Sequence, residues 1–325
     1  MFDSGYHVPV LLNEVILNLF ENIEEHVECV MLDLTFGGGG HSFAALKKFP
    51  NLHVVGIDQD KDAIDHGIQY SQSLGLDARI SLIHENFKQF TQTIRSHPWW
   101  STSKIRVILA DLGVSSHQFD TAERGFSFRH NGPLDMRMNT NLEFTAADLV
   151  NSFSEEKLAD TLFTYGEEPF ARRLAKRIVD HRKEVGPIQT TSELEAIVFH
   201  TYPKKLRHGR THPATKTFQA LRIAVNAELD TLTSLLEGLK QLELENCRLG
   251  IITFHSLEDR IVKHFFRNLN KHDKKYRIIT KSPIVPTESE IKNNSRSRSA
   301  KLRVLELAGP ETYVQQYKKK KLFKA

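Results

Sequence analysis

The stretch VMLDLTFGGGGHS, residues 30–42, decides the fold. An apolar run typical of a buried strand leads into four consecutive glycines, and a helical pattern begins at His41. Glycines between a strand and a helix let the backbone pass close to a ligand at the helix N-terminus. The spacing Asp-x-x-x-Gly-x-Gly differs from Gly-x-Gly-x-x-Gly, whose third glycine packs helix on strand. The loop favours a ligand-binding turn, although an ordinary tight turn has the same composition.

The next two predicted strands end in residues that suit a nucleoside. Asp58 closes the second strand about 20 residues after the glycines, where a carboxylate accepts hydrogen bonds from ribose hydroxyls. Asp60 is expected only to cap the following helix. Phe87, after the third strand, is placed to pack on an adenine face, although an isolated Phe is more often a core residue. Together these loops favour an adenosine-type cofactor.

Strands and helices alternate in the first third of the chain. Strands are predicted at 30–34, 53–58, 79–83 and 106–111, with helices over 41–49 and 60–74 between them. Units of about 30 residues of this kind indicate a parallel α/β sheet. From about Ala122 to Val225 only capped helical patterns occur, for example the capping box from Thr190 to Glu193.

Strand patterns return at 249–254, 276–280 and 301–307. The last two are joined without a convincing crossover helix, so we expect an antiparallel hairpin that closes the sheet. The preceding helix is predicted to be capped at Ser256. Before it, an apolar stripe at helical spacing is expected to be core; its members are Phe218, Leu221, Val225, Leu229, Leu232, Leu236 and Leu239.

Charge is segregated along the 325 residues, although the net charge is only +4. Residues 1–169 carry 12 basic and 24 acidic side chains, and residues 170–222 carry 12 and 4. Residues 223–259 carry 2 and 7, and residues 260–325 carry 18 and 5. Two basic blocks on an acidic body indicate a polyanionic partner, although solvated helix faces and a basic tail explain the counts equally well.

Several classes of protein are disfavoured by what the sequence lacks. Its two cysteines, Cys29 and Cys247, have no C-x-x-C spacing, and His208 and His212 have no nearby carboxylate as a third ligand, so no metal site is expected. No signal peptide, membrane-length apolar run, P-loop or nucleophile elbow is present. We expect a soluble cytoplasmic protein, and the sequence leaves room for a homo-oligomer.

Several long runs resemble one family. They match the bacterial small-subunit (16S) ribosomal RNA cytosine-N4 methyltransferases, the MraW family, in the right order from about His7 to Glu306. The runs are HVPVLL at 7–12, DLTFGGGGHS at 33–42, DLGVSS at 111–116, ERGFSF at 123–128, GPLDMRM at 132–138, HPATKTFQALR at 212–222 and FHSLEDR at 254–260.

The resemblance implies an α/β, class I fold that depends on S-adenosylmethionine (SAM), Rossmann-like and mostly parallel with a terminal antiparallel hairpin and an inserted helical domain. We expect a methyltransferase domain in two parts, 1–120 and 221–325, the second with a basic C-terminal tail. Between them, 121–220 would form a helical substrate-recognition domain. The implied substrate is a decoding-centre cytidine in 16S ribosomal RNA of the small subunit, methylated at N4.

The resemblance also implies cofactor contacts. Carried over by position, they fall on Gly39, Gly40, His41, Asp58, Phe87, Asp111 and Gln118. Two departures from the family stand out. Position 38 is Gly where many members have a larger residue, and the connection 266–276 is short and free of cysteine.

The exocyclic amine of cytosine is a poor nucleophile because its lone pair is delocalised into the ring. Acceptors that hold its N–H groups disperse the charge that develops. Amino-methyltransferases of DNA use an acidic or polar residue followed by Pro-Pro-aromatic, but the run after the fourth strand here is DLGV, residues 111–114. The catalytic group is therefore unassigned, with Asp111, His255 and Ser256 as candidates.

Two other functions compete with this interpretation. A nicotinamide-dependent oxidoreductase shares the glycine loop and the acid after the second strand, but the glycine spacing and the terminal hairpin disfavour it. A non-catalytic RNA-binding factor is disfavoured by the intact cofactor residues. Methylation at cytosine C5 needs a cysteine nucleophile, and both cysteines precede their strands. Phosphate contacts are expected from a basic group in the insertion: Arg129, Arg137, Arg172, Arg173, Lys176 and Arg177.

Overall fold

Parallel strands form most of a single sheet. The structure, a computed structural model, describes residues 9–86, 90–101 and 104–309. Its strands are β1 (Cys29–Asp33), β2 (Leu52–Asp58), β3 (Ile80–His84), β4 (Ile105–Asp111), β5 (Cys247–Thr253), β6 (Tyr276–Ile278) and β7 (Lys301–Leu307). Within these residues the order is β3-β2-β1-β4-β5-β7-β6, with β1 to β5 parallel.

All seven predicted strands are confirmed, with ends that differ by at most two residues. β7 pairs antiparallel with β5 on one side and with β6 on the other, so the predicted terminal hairpin is confirmed. Chain order along the sheet reverses between β1 and β4. In an open α/β sheet, the crevice at the carboxyl ends of the strands beside such a reversal is where ligands bind.

Helices fill the connections. They are α1 (Leu12–Leu19), α2 (Gly40–Lys48), α3 (Lys61–Ser73), α4 (Phe90–Ser96), α5 (Ser116–Asp120), α6 (Ala146–Ser152), α7 (Glu155–Gly166), α8 (Ala171–Glu184), α9 (Thr191–Thr201), α10 (Ala214–Asn226), α11 (Glu228–Lys240), α12 (Ser256–His272) and α13 (Glu288–Asn293). The short α13 lies in the connection between β6 and β7, where no helix is predicted. Among the described residues, no helix has both the length and the apolar character needed to cross a membrane.

The chain forms two compact units. The sheet unit comprises Met1–Gly113 and Thr231–Ala325, and the helical unit comprises Val114–Asp230. Within the sheet unit, alternate residues of each strand enter two cores. Leu32 and Ile108 pack with apolar residues of α11 and α12, whereas Met31 and Val107 pack with those of α1 and α2. The helical unit has its own core, in which α7 packs against α8 and α10.

The long apolar stripe is core, but it is divided between the two units. Phe218 and Leu221 on α10 are buried in the core of the helical unit. Leu232 and Leu236 on α11 are buried in that of the sheet unit. The helix that carries the stripe is interrupted at Ala227, whose left-handed φ of 47° ends α10. An apolar period of 3.6 residues continues through this break, so periodicity alone could not reveal it.

Candidate cofactor site

The glycine loop is held against β2 by backbone hydrogen bonds. The N–H of Phe36 donates to the carbonyl of Ile57 over 2.9 Å, and the N–H of Gly37 donates to Oδ2 of Asp58 over 2.7 Å. Gly39 has a left-handed φ of 70°, and a Cβ there would lie 2.4 Å from the Phe36 ring. Conformation and packing both require glycine at position 39.

No packing role was predicted from the sequence for Phe36, which lies in this loop. Its side chain is buried and fills space left by three glycines. A Cβ on Gly56 of β2 would come within 2.7 Å of the ring, and one on Gly67 of α3 within 2.4 Å. A glycine inside a strand or a helix indicates that another group packs closely against it. For Gly56 in β2 and Gly67 in α3, that group is the ring of Phe36.

Asp58 organises the loop as well as facing the crevice. Its Oδ1 accepts the N–H of Asp60 over 2.8 Å, while Oδ2 holds Gly37. Burial raises the pKa of Asp58 to about 6, against the lowering effect of these hydrogen bonds. The backbone of Gln59 also donates to this carboxylate, and a carboxylate has about four acceptor positions, so capacity for a hydroxyl donor remains. Asp60 accepts the N–H of Asp62 and caps α3, as predicted.

Asp33 and Asp111 end the two strands on either side of the reversal in chain order. Asp33 is 2% exposed and accepts the hydroxyl of Ser42 over 2.6 Å. Burial raises its pKa to about 6. Thr35 lies between the two acids, because its Oγ1 accepts the N–H of Asp111 over 2.6 Å.

Asp111 carries a buried oxygen, Oδ1, that has no hydrogen-bond partner among the described residues. Its other oxygen, Oδ2, lies 3.9 Å from Nδ1 of His41. Burial raises the pKa of Asp111 well above its ordinary value, and the negative charges of Asp33 and Glu258 raise it further. A buried acceptor without a donor costs free energy, and a ligand with N–H groups or positive charge would relieve that cost.

His41, in the first turn of α2, links the loop to the segment before α1. Its Nε2 lies 2.9 Å from the carbonyl oxygen of Val10. A carbonyl can only accept, so Nε2 carries a proton and Nδ1 faces Asp111. Gly40 lies beside the same segment, because a Cβ there would be 3.0 Å from Pro9.

The start of α12 differs from the prediction. His255, not Ser256, is the N-cap, because its Nδ1 accepts the N–H of Glu258 over 3.4 Å. Glu258 reciprocates by accepting the N–H groups of Phe254 and His255. Nε2 of His255 lies 3.1 Å from Oε1 of Glu258. His255 and Glu258 thus build a capping box in which imidazole replaces the usual hydroxyl or carboxylate.

Of the two remaining predicted cofactor residues, the structure describes only Gln118. Gln118 belongs to the helical unit, where it forms a capping box with Ser115: its Oε1 accepts the N–H of Ser115 over 3.0 Å. Phe87 lies outside the described residues. Gly39, Gly40, His41, Asp58 and Asp111 all lie in the sheet unit. Asp58 and Asp111 end β2 and β4, and the other three lie in the loop after β1 or in the first turn of α2.

The donors and acceptors present suit SAM. Its ribose offers hydroxyl donors for Asp58, and its ammonium and sulfonium groups offer positive charge to a site with one buried and two half-buried carboxyl groups. The strand order, the antiparallel β7 and this strand-end site together define a class I SAM-dependent methyltransferase.

Comparison with known proteins identifies the family. The model of the MraW methylase family matches residues 4–308, and the chain belongs to that family. A protein named ribosomal RNA small subunit methyltransferase H from Picosynechococcus sp. is 46% identical over 301 residues, which are 93% of this chain and 96% of that one. The protein of the same name from Clostridioides difficile is 42% identical over 316 residues, 93% of this chain and 98% of that one.

A solved SAM-dependent methyltransferase from Aquifex aeolicus is similar over 92% of this chain and 90% of its own, with a TM-score of 0.39 and 9% sequence identity.

Proposed function

We propose that this enzyme transfers the methyl group of SAM to N4 of a decoding-centre cytidine in 16S ribosomal RNA of the small subunit. The observation that carries the proposal is the 46% identity, over 93% of the chain, to a protein named ribosomal RNA small subunit methyltransferase H. The same name recurs among further relatives that are 42–45% identical. The cytoplasm is the compartment that such a substrate implies.

The proposed cofactor contacts are those carried over from the family: Gly39, Gly40, His41, Asp58, Phe87, Asp111 and Gln118. When bound, SAM supplies a methyl group that its sulfonium already activates. The protein must therefore mainly fix positions. Asp58 holds ribose hydroxyls with oxygens that are themselves fixed by the backbone of Gly37 and Asp60.

Asp111 also remains the best candidate for accepting N–H groups at the reacting amine. Its Oδ1 is buried and without a partner in the described part of the chain. His255 is engaged with Glu258 at the start of α12, and Ser256 is the first residue of that helix.

The cysteines support methylation of an amine rather than of carbon 5. Cys29 and Cys247 are the first residues of β1 and β5, at the opposite end of those strands from Asp33 and Thr253. Both thiols are buried, and burial raises the pKa of Cys29 to about 11 and that of Cys247 further still. A nucleophile for C5 chemistry must instead form a thiolate beside the cofactor.

The helical insertion, proposed as 121–220, supplies cations for RNA. Arg172, Arg173, Lys176 and Arg177 are all exposed on α8, and Arg129 is exposed as well. These side chains are available to phosphates; among the residues that the structure describes, only Lys176 is near a carboxylate, 3.8 Å from Asp180.

Arg137 does not belong to this basic group. Its Nε and one terminal nitrogen donate to the two oxygens of Asp135 over 2.8 and 2.7 Å. Its other terminal nitrogen donates to the carbonyls of Thr140 and Leu142. The guanidinium therefore stabilises the loop 135–142, to which Arg137 itself belongs.

Methyl transfer with product analysis tests the proposal. The enzyme is incubated with SAM and small-subunit particles from a strain that lacks the modification, and in parallel with protein-free 16S ribosomal RNA. Nucleosides are then separated and analysed by mass spectrometry. N4-methylcytidine is expected in at least one reaction. Absence of any methylated nucleoside, or 5-methylcytidine instead, refutes the assignment.

A further inference from the structure

A second basic region of the helical unit also contains aromatic rings. Residues 199–212, FHTYPKKLRHGRTH, include four Lys or Arg, three His and no acidic residue. The segment runs from the end of α9 to the residue before Pro213, which precedes α10. We call it the ring-and-cation segment.

Its rings form an ordered stack. His212 lies between two phenylalanines: its ring centroid is 4.7 Å from that of Phe128 at an interplanar angle of 24°, and 5.9 Å from that of Phe199 at 19°. His208 meets the half-buried Phe199 edge-on, with centroids 5.7 Å apart. On the core side of the stack, Phe218 packs edge-on against Phe128, with ring centroids 5.1 Å apart.

Hydrogen bonds fix the orientation of His212. Its Nδ1 accepts the N–H of Ala214 over 3.2 Å, so the proton of the neutral ring is on Nε2, which lies 3.3 Å from Oε1 of Glu195.

Arg207 is fixed as well. Its guanidinium lies 5.3 Å from the centroid of Phe199 and donates to the carbonyls of Tyr202 and His200 over 3.0 and 2.8 Å. The planar groups are thus arranged before any ligand arrives, which lowers the entropy cost of binding.

The cations around the stack are available to a ligand. Lys204, Lys205 and Arg210 are exposed, and none has a carboxylate within ion-pair distance in residues 9–86, 90–101 and 104–309. Exposed cations beside aromatic rings are the combination by which proteins bind single-stranded nucleic acid: the rings stack on unpaired bases and the cations contact phosphates.

We propose that the ring-and-cation segment binds single-stranded RNA. An unpaired base stacks on the exposed ring of His208, which Phe199 holds in place by an edge-on contact, and Lys204, Lys205 and Arg210 contact the neighbouring phosphates. The proposal rests on the proposed function, because it takes ribosomal RNA as the ligand. A docking surface for an acidic protein would need the cations but not the rings, and that difference separates the two.

Three variants test the segment. Phe199→Leu keeps an apolar side chain and removes the ring, His208→Ala removes an exposed ring, and Lys204→Gln/Lys205→Gln removes two charges. A matched control, Lys47→Gln/Lys48→Gln, removes two adjacent exposed lysines of α2. Binding to a short labelled RNA of mixed sequence, single-stranded or as a duplex, is measured by fluorescence anisotropy against salt concentration. Thermal unfolding and calorimetry with SAM verify that each variant is folded.

Phe199→Leu and His208→Ala should each weaken binding of the single strand about tenfold and leave duplex binding unchanged. The lysine pair should lower the slope of log affinity against log salt by about 1.4, and the control should not. Equal losses on single strand and duplex, or an effect of the lysines alone, overturn the base-stacking role. Because binding is measured without methyl transfer, failure to form N4-methylcytidine with normal RNA binding would count against the proposed function only.

Discussion

The charged residues of the two units are placed in opposite ways. In the sheet unit, the carboxyl groups of Asp33, Asp58 and Asp111 lie at strand ends and are largely buried. Those of Asp33 and Asp58 accept hydrogen bonds from hydroxyl or backbone donors, whereas Oδ1 of Asp111 has no partner among the described residues. On α8 of the helical unit, Arg172 and its basic neighbours are exposed. Buried groups fixed by the backbone suit one small ligand in one position, whereas exposed cations suit a large polyanion. Single changes should therefore matter in the sheet unit, and grouped changes in the helical unit.

The largest effect is expected where conformation and packing coincide. Gly39→Ala places a Cβ 2.4 Å from Phe36 at a φ of 70°. We expect the free energy of unfolding to fall by about 2–4 kcal/mol and SAM binding to weaken at least about tenfold. Gly75→Ala is the control, because Gly75 has a φ of 65° but nothing within 4 Å of its Cβ, and should cost only about 1 kcal/mol. Equal losses in urea unfolding would contradict the packing argument.

Asp58→Ala should weaken SAM binding by about 1–3 kcal/mol in isothermal titration calorimetry. The change removes the proposed ribose acceptor and also leaves the N–H of Gly37 without the Asp58 oxygen to which it donates. Asp60→Ala, which removes the cap of α3, should reduce stability by about 1 kcal/mol and leave SAM affinity unchanged. If both variants bind SAM like the parent protein, Asp58 is not the ribose ligand.

Removal of positive charge from α8 should weaken only the binding of RNA. With Arg172, Arg173, Lys176 and Arg177 all changed to Gln, KM for small-subunit particles should rise about tenfold and depend less on salt. kcat at saturating particle should change little. The charge-matched control changes four exposed lysines of the sheet unit, Lys47, Lys48, Lys104 and Lys240. An equal rise in KM in the control would mean that net charge alone is at work.

The smallest expected effect concerns pH. The pKa values of Asp33 and Asp58 are raised from 3.8 to about 6, so the folded protein holds protons that the unfolded chain releases. Without cofactor, stability should therefore rise as the pH falls from about 6 towards 3.8.

SAM, being cationic at its sulfonium, favours the ionised carboxyl groups. Its affinity should move the other way and fall about threefold per pH unit below about 6. S-adenosylhomocysteine lacks the sulfonium charge and should depend less on pH. Calorimetry over this range with both ligands makes the test, and identical pH profiles would show that the carboxyl groups do not sense the sulfonium.

The contrast between the units also explains what the sequence could predict. The strands and the loop from Asp33 to Gly40 were predictable because short apolar runs and glycines have local meanings. The contact of Asp58 with Gly37 and the packing of Phe36 on Gly67 join residues 21 and 31 positions apart, and no local pattern encodes them. The division of the apolar stripe at Ala227 was not predictable either, because the apolar spacing continues through that residue.

In the helical unit, the chain pattern identified basic residues but not their partners. Arg137 resembled its basic neighbours in sequence, yet its donors are used by Asp135. The stack around His212 was missed because its rings come from positions 128, 199 and 212, which no spacing rule connects.

We propose that the cofactor is held mainly by the sheet unit, with Gln118 as the contact from the helical unit, and that the RNA is held by the helical unit. The most direct test measures both dissociation constants, for SAM and for unmodified small-subunit particles, in Asp58→Ala and in the α8 variant with four Gln. We expect Asp58→Ala to weaken SAM binding about 5- to 150-fold with particle binding unchanged, and the α8 variant to weaken particle binding with SAM binding unchanged. Loss of both ligands in either variant would contradict the separation.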